Sequence, residues 1–112
     1  MFSNCYSLKS INLRKFNTAN VYDMGNTFYN CTSMTNLDLS SFNTKQVNNM
    51  NYMFANCTKL KNSNLKSLST ENCFQFISTF EDCKGLTVTL KSDKCQNLID
   101  KIPEYVKVND KT

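Results

Sequence analysis

The chain has 112 residues, a net charge of +4, six cysteines, two glycines and no histidine. Its length fits a single domain, and the absence of histidine removes the usual general base and the hydrolytic triads that employ it. Two isolated glycines exclude a glycine-rich phosphate loop, so the composition argues against an enzyme and offers no cofactor site. No apolar run reaches about eighteen residues, so we predict no membrane insertion by this segment.

Phenylalanine and cysteine recur together at a fixed spacing of 26 residues along the chain. Such a period predicts stacked copies of one supersecondary unit, none of which can fold alone. We divide the chain into repeats at about 2–27, 28–53 and 54–79 and a partial repeat at 80–91, followed by a C-terminal segment at 92–112. The pairs that define the period are Phe2 with Cys5, Phe28 with Cys31, Phe54 with Cys57, and Phe80 with Cys83.

The first half of each repeat predicts a short strand. In the second repeat, Leu37 and Leu39 alternate with Asp38, which places the two leucines on one face and the carboxylate on the other. Leu13 and Leu65 occupy the same position as Leu39 in the neighbouring repeats. We therefore expect these leucines to lie inward, above one another.

The second half of each repeat predicts a short helical segment. Val47, Met50 and Phe54 lie three and then four residues apart, which is the spacing of one helix face. Thr44 precedes Val47 by three residues and is placed to cap that helix, and Thr18 and Thr70 recur at the same position.

The segment CTSMTNLDLSSF fits the leucine-rich-repeat pattern L-x-x-L-x-L, with Met34, Leu37 and Leu39 as its apolar residues. The whole 26-residue unit resembles the repeat of BspA-like bacterial surface proteins over roughly residues 1–91. This resemblance implies an α/β, leucine-rich-repeat-like solenoid at the cell surface, used for adhesion or recognition of macromolecules. It weakens at Ser63, which replaces an apolar residue, and near Val88, which is one residue out of step.

The sequence also makes a separate prediction for each end of the repeat region. Phe2 matches Phe54, so the chain opens inside a repeat without a capping unit or an export signal. We therefore expect further repeats to precede it. At the other end, Ser92 or Asp93 begins a predicted capping helix that stops at Pro103. Its apolar face comprises Cys95, Leu98, Ile99 and Ile102, and an extended tail follows in which Tyr105, Val106 and Val108 alternate outward and inward.

The six cysteines lack the paired spacings of zinc sites, so we predict no metal site. The four cysteines of the period, together with Cys73, are expected in the core as reduced thiols, although disulfides between neighbouring rungs are not excluded by distance. Asparagine also recurs, with Asn4, Asn30 and Asn56 before the cysteines and Asp82 in the fourth repeat. We expect them to form corners, although Asn30 and Asn56 also begin N-glycosylation patterns.

The outward face of the predicted sheet is the candidate site for partner binding. Its side chains are polar, and ordinary solvated strand surface is an equally good interpretation of them. No dense basic stripe interleaves with aromatic residues, so we predict no nucleic-acid partner. The twelve residues are Ser10, Asn12, Arg14, Asn36, Asp38, Ser40, Asn62, Asn64, Lys66, Thr87, Thr89 and Lys91.

Three functions are therefore open. The first is a non-catalytic cell-surface module for adhesion or protein recognition, belonging to a longer array, and it is the one that the family resemblance implies. The second is an intracellular scaffold for protein partners, and the third is a structural spacer without a ligand. The chain itself would be a monomer or would stack on further repeats at its N-terminal end.

Overall fold

The computed structural model describes residues 2–112, and Met1, with which the predicted repeat region begins, lies outside the described residues. Four short parallel strands form one sheet in the order β1-β2-β3-β4. The architecture is therefore a small α/β domain, mostly sheet, with little helix. Its elements are β1 (Asn36–Asp38), β2 (Asn62–Asn64), β3 (Thr87–Leu90), a 3-10 helix (Ser92–Lys94), α1 (Gln96–Ile99) and β4 (Lys107–Asp110).

The strand register follows the sequence period. Asn36 pairs with Asn62, 26 residues later, whereas Asn62 pairs with Thr87, only 25 residues later. The expected slip near Val88 is therefore a deletion of one residue before β3. Despite this deletion, Ser63 of β2 pairs with Val88 of β3. The sheet thus keeps its alignment although the sequence falls out of step.

The core lies behind the sheet and consists of equivalent side chains from successive repeats. Leu13, Leu39 and Leu65 are all buried, as the sequence predicts. A row of phenylalanines runs parallel to them, in which neighbouring rings are stacked. The centroid distances are 5.7 Å for Phe2 and Phe28, 5.8 Å for Phe28 and Phe54, and 5.3 Å for Phe54 and Phe80.

The predicted strand of the first repeat and the predicted helical segments of the repeats are both wrong. Residues 10–14 form no strand, and residues 44–56 consist mostly of turns and bends, with two isolated bridges at Asn49. Val47, Met50 and Phe54 are buried as expected. However, every second backbone N–H group from Met50 onward donates to the next repeat instead of bonding within a helix. The N–H groups of Met50, Tyr52, Phe54 and Asn56 donate to the carbonyl oxygens of Gln75, Ile77, Thr79 and Glu81.

The same inter-repeat bonding occurs one repeat earlier. The N–H groups of Met24, Asn26, Phe28 and Asn30 donate to the carbonyl oxygens of Asn49, Asn51, Met53 and Ala55. Amides between these donors close i−3 turns, such as Tyr29 N–H to the Asn26 carbonyl at 3.2 Å. An α-helix needs bonds to residue i−4, and here those donors are already used.

The predicted threonine caps are also corrected. The Thr44 hydroxyl donates to the Ser69 carbonyl at 2.9 Å and accepts from the Ser69 N–H at 2.8 Å. Thr18 makes the same pair of bonds with Asn43. Each hydroxyl therefore ties its own repeat to the next one, because no helix begins there to offer it orphan amides.

The C-terminal segment forms two short helices instead of one. The chain breaks at Cys95, where φ is −124°, because the Lys94 carbonyl accepts the N–H of Thr70 from the third repeat. Cys95 and Leu98 are buried as predicted, while Ile99 and Ile102 are half-buried. After the helices, the tail returns as β4, which pairs with β3 along the edge of the sheet.

The tail follows the predicted alternation only in part. Val106 is buried and Tyr105 is exposed, as predicted, but both lie in a turn that precedes β4 and not on extended chain. Val108 pairs with Val88 but is 43% exposed, because β4 is the edge strand of the sheet that residues 2–112 form.

The corner prediction is confirmed. Asn4, Asn30, Asn56 and Asp82 have φ values of 63°, 64°, 62° and 62°, the left-handed region that asparagine and aspartate tolerate better than most residues. Their side chains also bond to one another along the stack. Asn30 Nδ2 donates to Asn4 Oδ1 at 3.1 Å, and Asn56 Nδ2 donates to Asn30 Oδ1.

Candidate functional site

The predicted outward residues lie on the solvent side of the sheet. Those of the first two repeats are all exposed, whereas Thr87, Thr89 and Lys91 are half-buried where β4 lies beside them. The alternation in β1, with Leu37 buried between exposed Asn36 and Asp38, shows how the strand geometry sorts core from surface.

A shallow groove of about 340 Å³ lies between the first two repeats. It brings together five of the predicted residues, although no strand forms in the first repeat. The five are Ser10, Asn12, Arg14, Asp38 and Ser40. The remaining predicted residues do not line it and continue the face across β2 and β3.

Side-chain turns fix the row of residues at the C-terminal ends of the strands. Asn12 Oδ1 accepts the Arg14 N–H at 3.1 Å, and Asp38 Oδ1 accepts the Ser40 N–H at 3.0 Å. Asn64 Oδ1 repeats this bond with the Lys66 N–H at 3.1 Å. Each turn thus fixes the backbone of the residue that carries an exposed cation or hydroxyl, namely Arg14, Ser40 or Lys66.

Asp38 is the one carboxylate of the outward face. Its hydrogen bonds from Ser40, and to a smaller extent the positive charges of Arg14 and Lys66, hold the pKa of this carboxyl below its usual value. Asp38 is thus ionised at neutral pH between two cations.

Sequence reasoning missed the part of the face that β4 contributes. Lys107 pairs with Thr87 and Asn109 pairs with Thr89, so both belong to the outward rows. The alternation of Tyr105, Val106 and Val108 indicated an extended tail, but nothing in it indicated which strand the tail would join. With β4 included, the face has four cations, Arg14, Lys66, Lys91 and Lys107, and one carboxylate.

The face therefore has a net charge of +3, which is most of the +4 of the whole chain. None of its fourteen side chains is apolar, because the predicted residues together with Lys107 and Asn109 are all polar or charged. This surface suits a hydrated, anionic or strongly polar partner.

The cysteines form part of the core and not of a reactive site. Cys31, Cys57, Cys73, Cys83 and Cys95 are free thiols and fully buried, and Cys5 is half-buried. Burial raises the pKa of Cys57 and of Cys83 to about 12 and that of Cys95 to about 11. Such thiols are protonated at neutral pH and therefore poor nucleophiles.

Within residues 2–112, no group of three or more cysteine, aspartate or glutamate side chains is arranged to hold a metal ion. The helices of the described part of the chain are also too short and too polar to span a membrane.

The fold and this surface define a class of protein: a small repeat domain with a parallel sheet, a buried ladder of apolar side chains and a polar outward face. The chain belongs to the family described as "Mycoplasma protein of unknown function, DUF285", whose pattern matches residues 1–107. No curated protein and no solved structure matches the chain.

Proposed function

We propose that this chain is a non-catalytic recognition module of the cell surface, which uses the outward face of its sheet for adhesion to a macromolecular partner. In this proposal, the 26-residue repeats are coils of a leucine-rich-repeat-like solenoid and belong to a longer array. The resemblance to BspA-like surface proteins supports the class, the location and the role.

The observation that carries the proposal is the separation of the two faces of the sheet. The inward side chains are committed to packing, since Leu37, Leu39, Leu65, Val88 and Leu90 are all at most 2% exposed. The outward side chains are polar and carry a net charge of +3, and those of the first two repeats are all exposed. Substitutions on a face of this kind can change the ligand that it binds without disturbing the core.

The size of the face sets the expected strength of binding. Five rungs at about 4.8 Å and five residues at about 3.3 Å, of which every second one points outward, give an area of roughly 400 Å². A standard protein interface buries about 800 Å² on each partner. A single copy should therefore bind weakly, and attachment should depend on many copies acting together.

The test is an attachment assay with many copies of the full chain on beads. Beads carrying the wild-type chain are applied to a cultured epithelial layer and washed at physiological and at high salt. We expect the triple variant Arg14→Ala, Asp38→Ala, Lys66→Ala to lose most of the attachment, and we expect high salt to weaken wild-type attachment.

A matched control removes the same charges from a different surface. Lys59, Glu81 and Lys84 are exposed, lie outside the sheet and provide two cations and one carboxylate. Replacing these three by alanine should leave attachment unchanged. Equal attachment by wild type and the outward-face variant would exclude the face as the contact surface. Attachment of wild-type beads no better than that of bare beads would favour the spacer function.

A further inference from the structure

A second concave surface lies away from the outward face. It has a volume of about 680 Å³ and forms where the segments that follow β1 and β2 meet the two C-terminal helices. This volume is within the range of ordinary small-molecule sites. None of the twelve predicted face residues lines it, and its neutral polar lining includes Asn43, Ser69, Thr70, Gln96 and Asn97.

One aromatic ring lines this cavity in the open. Phe74 is 74% exposed, the highest value among the large apolar side chains of the described residues. The equivalent positions in the earlier repeats hold Tyr22 and Asn48, which are also exposed, so the core does not require an aromatic residue there. The ring therefore offers an apolar surface to whatever occupies the cavity.

Two amides in the lining are already held in place by the fold. Asn97 Nδ2 donates to the carbonyl oxygens of Thr70 at 2.7 Å and Cys73 at 3.2 Å, which leaves its Oδ1 as an acceptor. Asn43 Oδ1 accepts the N–H of Lys45 at 3.1 Å, which leaves its NH₂ group as a donor. The cavity thus presents one fixed acceptor and one fixed donor. Both side chains are already ordered in the folded protein, so a ligand that binds them loses less conformational entropy.

The charges around the cavity cancel. Lys45 and Lys94 contribute two cations, and Glu71 and Asp93 contribute two carboxylates. A balanced lining gives no electrostatic preference for an anion or a cation. The surface therefore differs in character from the outward face, which is cationic.

We propose that this cavity binds a neutral oligosaccharide. A sugar presents hydroxyl groups that both donate and accept, and it has an apolar ring face that can lie on an aromatic side chain. Phe74 supplies the platform, and Asn43 and Asn97 supply the fixed donor and acceptor. This site is independent of the outward face, and it adds a carbohydrate ligand to the proposed recognition role.

The test is a titration of the isotope-labelled full chain with uncharged oligosaccharides, followed by two-dimensional NMR. The probes are maltotetraose, cellotetraose and triacetylchitotriose, each taken to about 20 mM to detect a millimolar Kd. We expect saturable shifts for at least one probe at the backbone amides of Lys45, Thr70, Phe74 and Lys94, together with the side-chain amide of Asn97.

The decisive variants are Phe74→Ala and Ile77→Ala. Both residues are exposed, at 74% and 61%, but only Phe74 lines the cavity. Phe74→Ala should weaken binding at least about tenfold, and Ile77→Ala should change it less than about twofold. Phe74→Tyr should keep the wild-type affinity, because it retains the ring.

Three outcomes would overturn the proposal. The first is no saturable shift with any of the probes. The second is a set of shifts on residues outside the cavity, and the third is equal affinity of wild type and Phe74→Ala. The outward-face triple variant should bind the same sugar as wild type does, so loss of attachment and loss of sugar binding can be told apart.

Discussion

The thiol of Cys83 donates to the carbonyl oxygen of Phe54, with 2.9 Å between Sγ and O. The two residues are 29 positions apart and belong to neighbouring repeats. The same bond joins Cys57 to Phe28 at 3.1 Å and Cys31 to Phe2 at 3.0 Å. Cysteine at this position therefore fills the core as a small apolar residue. Its thiol is also a second donor to a carbonyl such as that of Phe54, which already accepts the Cys57 N–H that closes the turn.

The first prediction concerns thiol accessibility. In the native chain, iodoacetamide should modify Cys5 first, because it is half-buried and the other five cysteines are fully buried. Modification of those five requires opening of the structure and should be at least about a hundredfold slower. Peptide mass spectrometry of a time course gives each rate. Modification of Cys57 as fast as Cys5 would contradict the buried ladder, and a sample in denaturant is the control.

The second prediction concerns alkaline pH. Folding raises the pKa of Cys57 and Cys83 from 9.0 to about 12. Between these two pH values, the unfolded chain has lost thiol protons that the native chain keeps, so the free energy of unfolding falls as pH rises. Each thiol contributes about 1.4 kcal/mol per pH unit to this fall. Below pH 9 their contribution to stability is fully present.

Denaturant unfolding at several pH values under reducing conditions measures that slope. The double variant Cys57→Ala, Cys83→Ala should be less stable than wild type below pH 9, because it loses buried contacts. Its slope above pH 9 should be shallower by about 2.7 kcal/mol per pH unit, so its stability deficit should shrink and then reverse as pH rises. Identical slopes for the two proteins would show that these thiols are not the cause.

The third prediction concerns Ser63, whose hydroxyl is buried without a hydrogen-bond partner. It lies in register between Leu37 and Val88 in the sheet. Ser63→Val should stabilise the fold by about 1–2 kcal/mol, because it removes the orphan hydroxyl and adds apolar contact. As a control, Ser67→Val should destabilise it by about 1 kcal/mol, since the Ser67 hydroxyl donates to the Leu39 carbonyl at 2.8 Å. Denaturant unfolding should therefore give opposite signs for the two variants.

The fourth prediction separates the two roles of Asn56, its backbone conformation and its side-chain bond to Asn30. Asn56→Gly should cost about 1 kcal/mol, because glycine accepts the positive φ but loses the side-chain bond. Asn56→Ala should cost about 1 kcal/mol more, because alanine also resists that conformation. Asn48→Ala, at an exposed position, is the control and should be neutral. Equal stability of the alanine and glycine variants would remove the backbone argument.

The fifth prediction compares two phenylalanines in the same repeat. Phe54 stacks between Phe28 and Phe80 and is 1% exposed, whereas Phe74 is 74% exposed. Phe54→Ala should cost about 3–5 kcal/mol, and Phe74→Ala should stay within about 0.5 kcal/mol of wild type. Thermal unfolding checks both values. A large loss for Phe74→Ala would mean that the ring supports the fold.

The repeat spacing was sufficient to predict which side chains are buried. Leu37 and Leu39 alternate with Asp38 in the sequence, and in the structure both leucines are buried whereas Asp38 is exposed. The corner residues could also be predicted. Asn30 and Asn56 adopt positive φ, and asparagine is one of the few residue types that do so readily. Both signals are local, and both depend on the side chain itself.

The backbone partners could not be predicted in the same way. The spacing of Val47, Met50 and Phe54 shows that they share one face, but it does not show whether their amides bond within the segment or across repeats. Tyr52 has a φ of 58° with no sequence signal for it. The oligosaccharide cavity was also missed, because Asn43, Phe74 and Asn97 approach each other only through the stacking of repeats and the folded C-terminal segment.

The amides of residues 24–30 and 50–56 that bond across repeats all point the same way, each donating to the repeat that follows. Along that side of the molecule, the peptide groups act as a column of aligned dipoles, as they do in a helix, with the positive pole toward the C-terminal end. Glu81 and Asp82 are exposed near that pole. The protein therefore has an electrical polarity along the direction of repetition. A reversed copy would oppose that polarity, whereas one added in the same orientation would extend it.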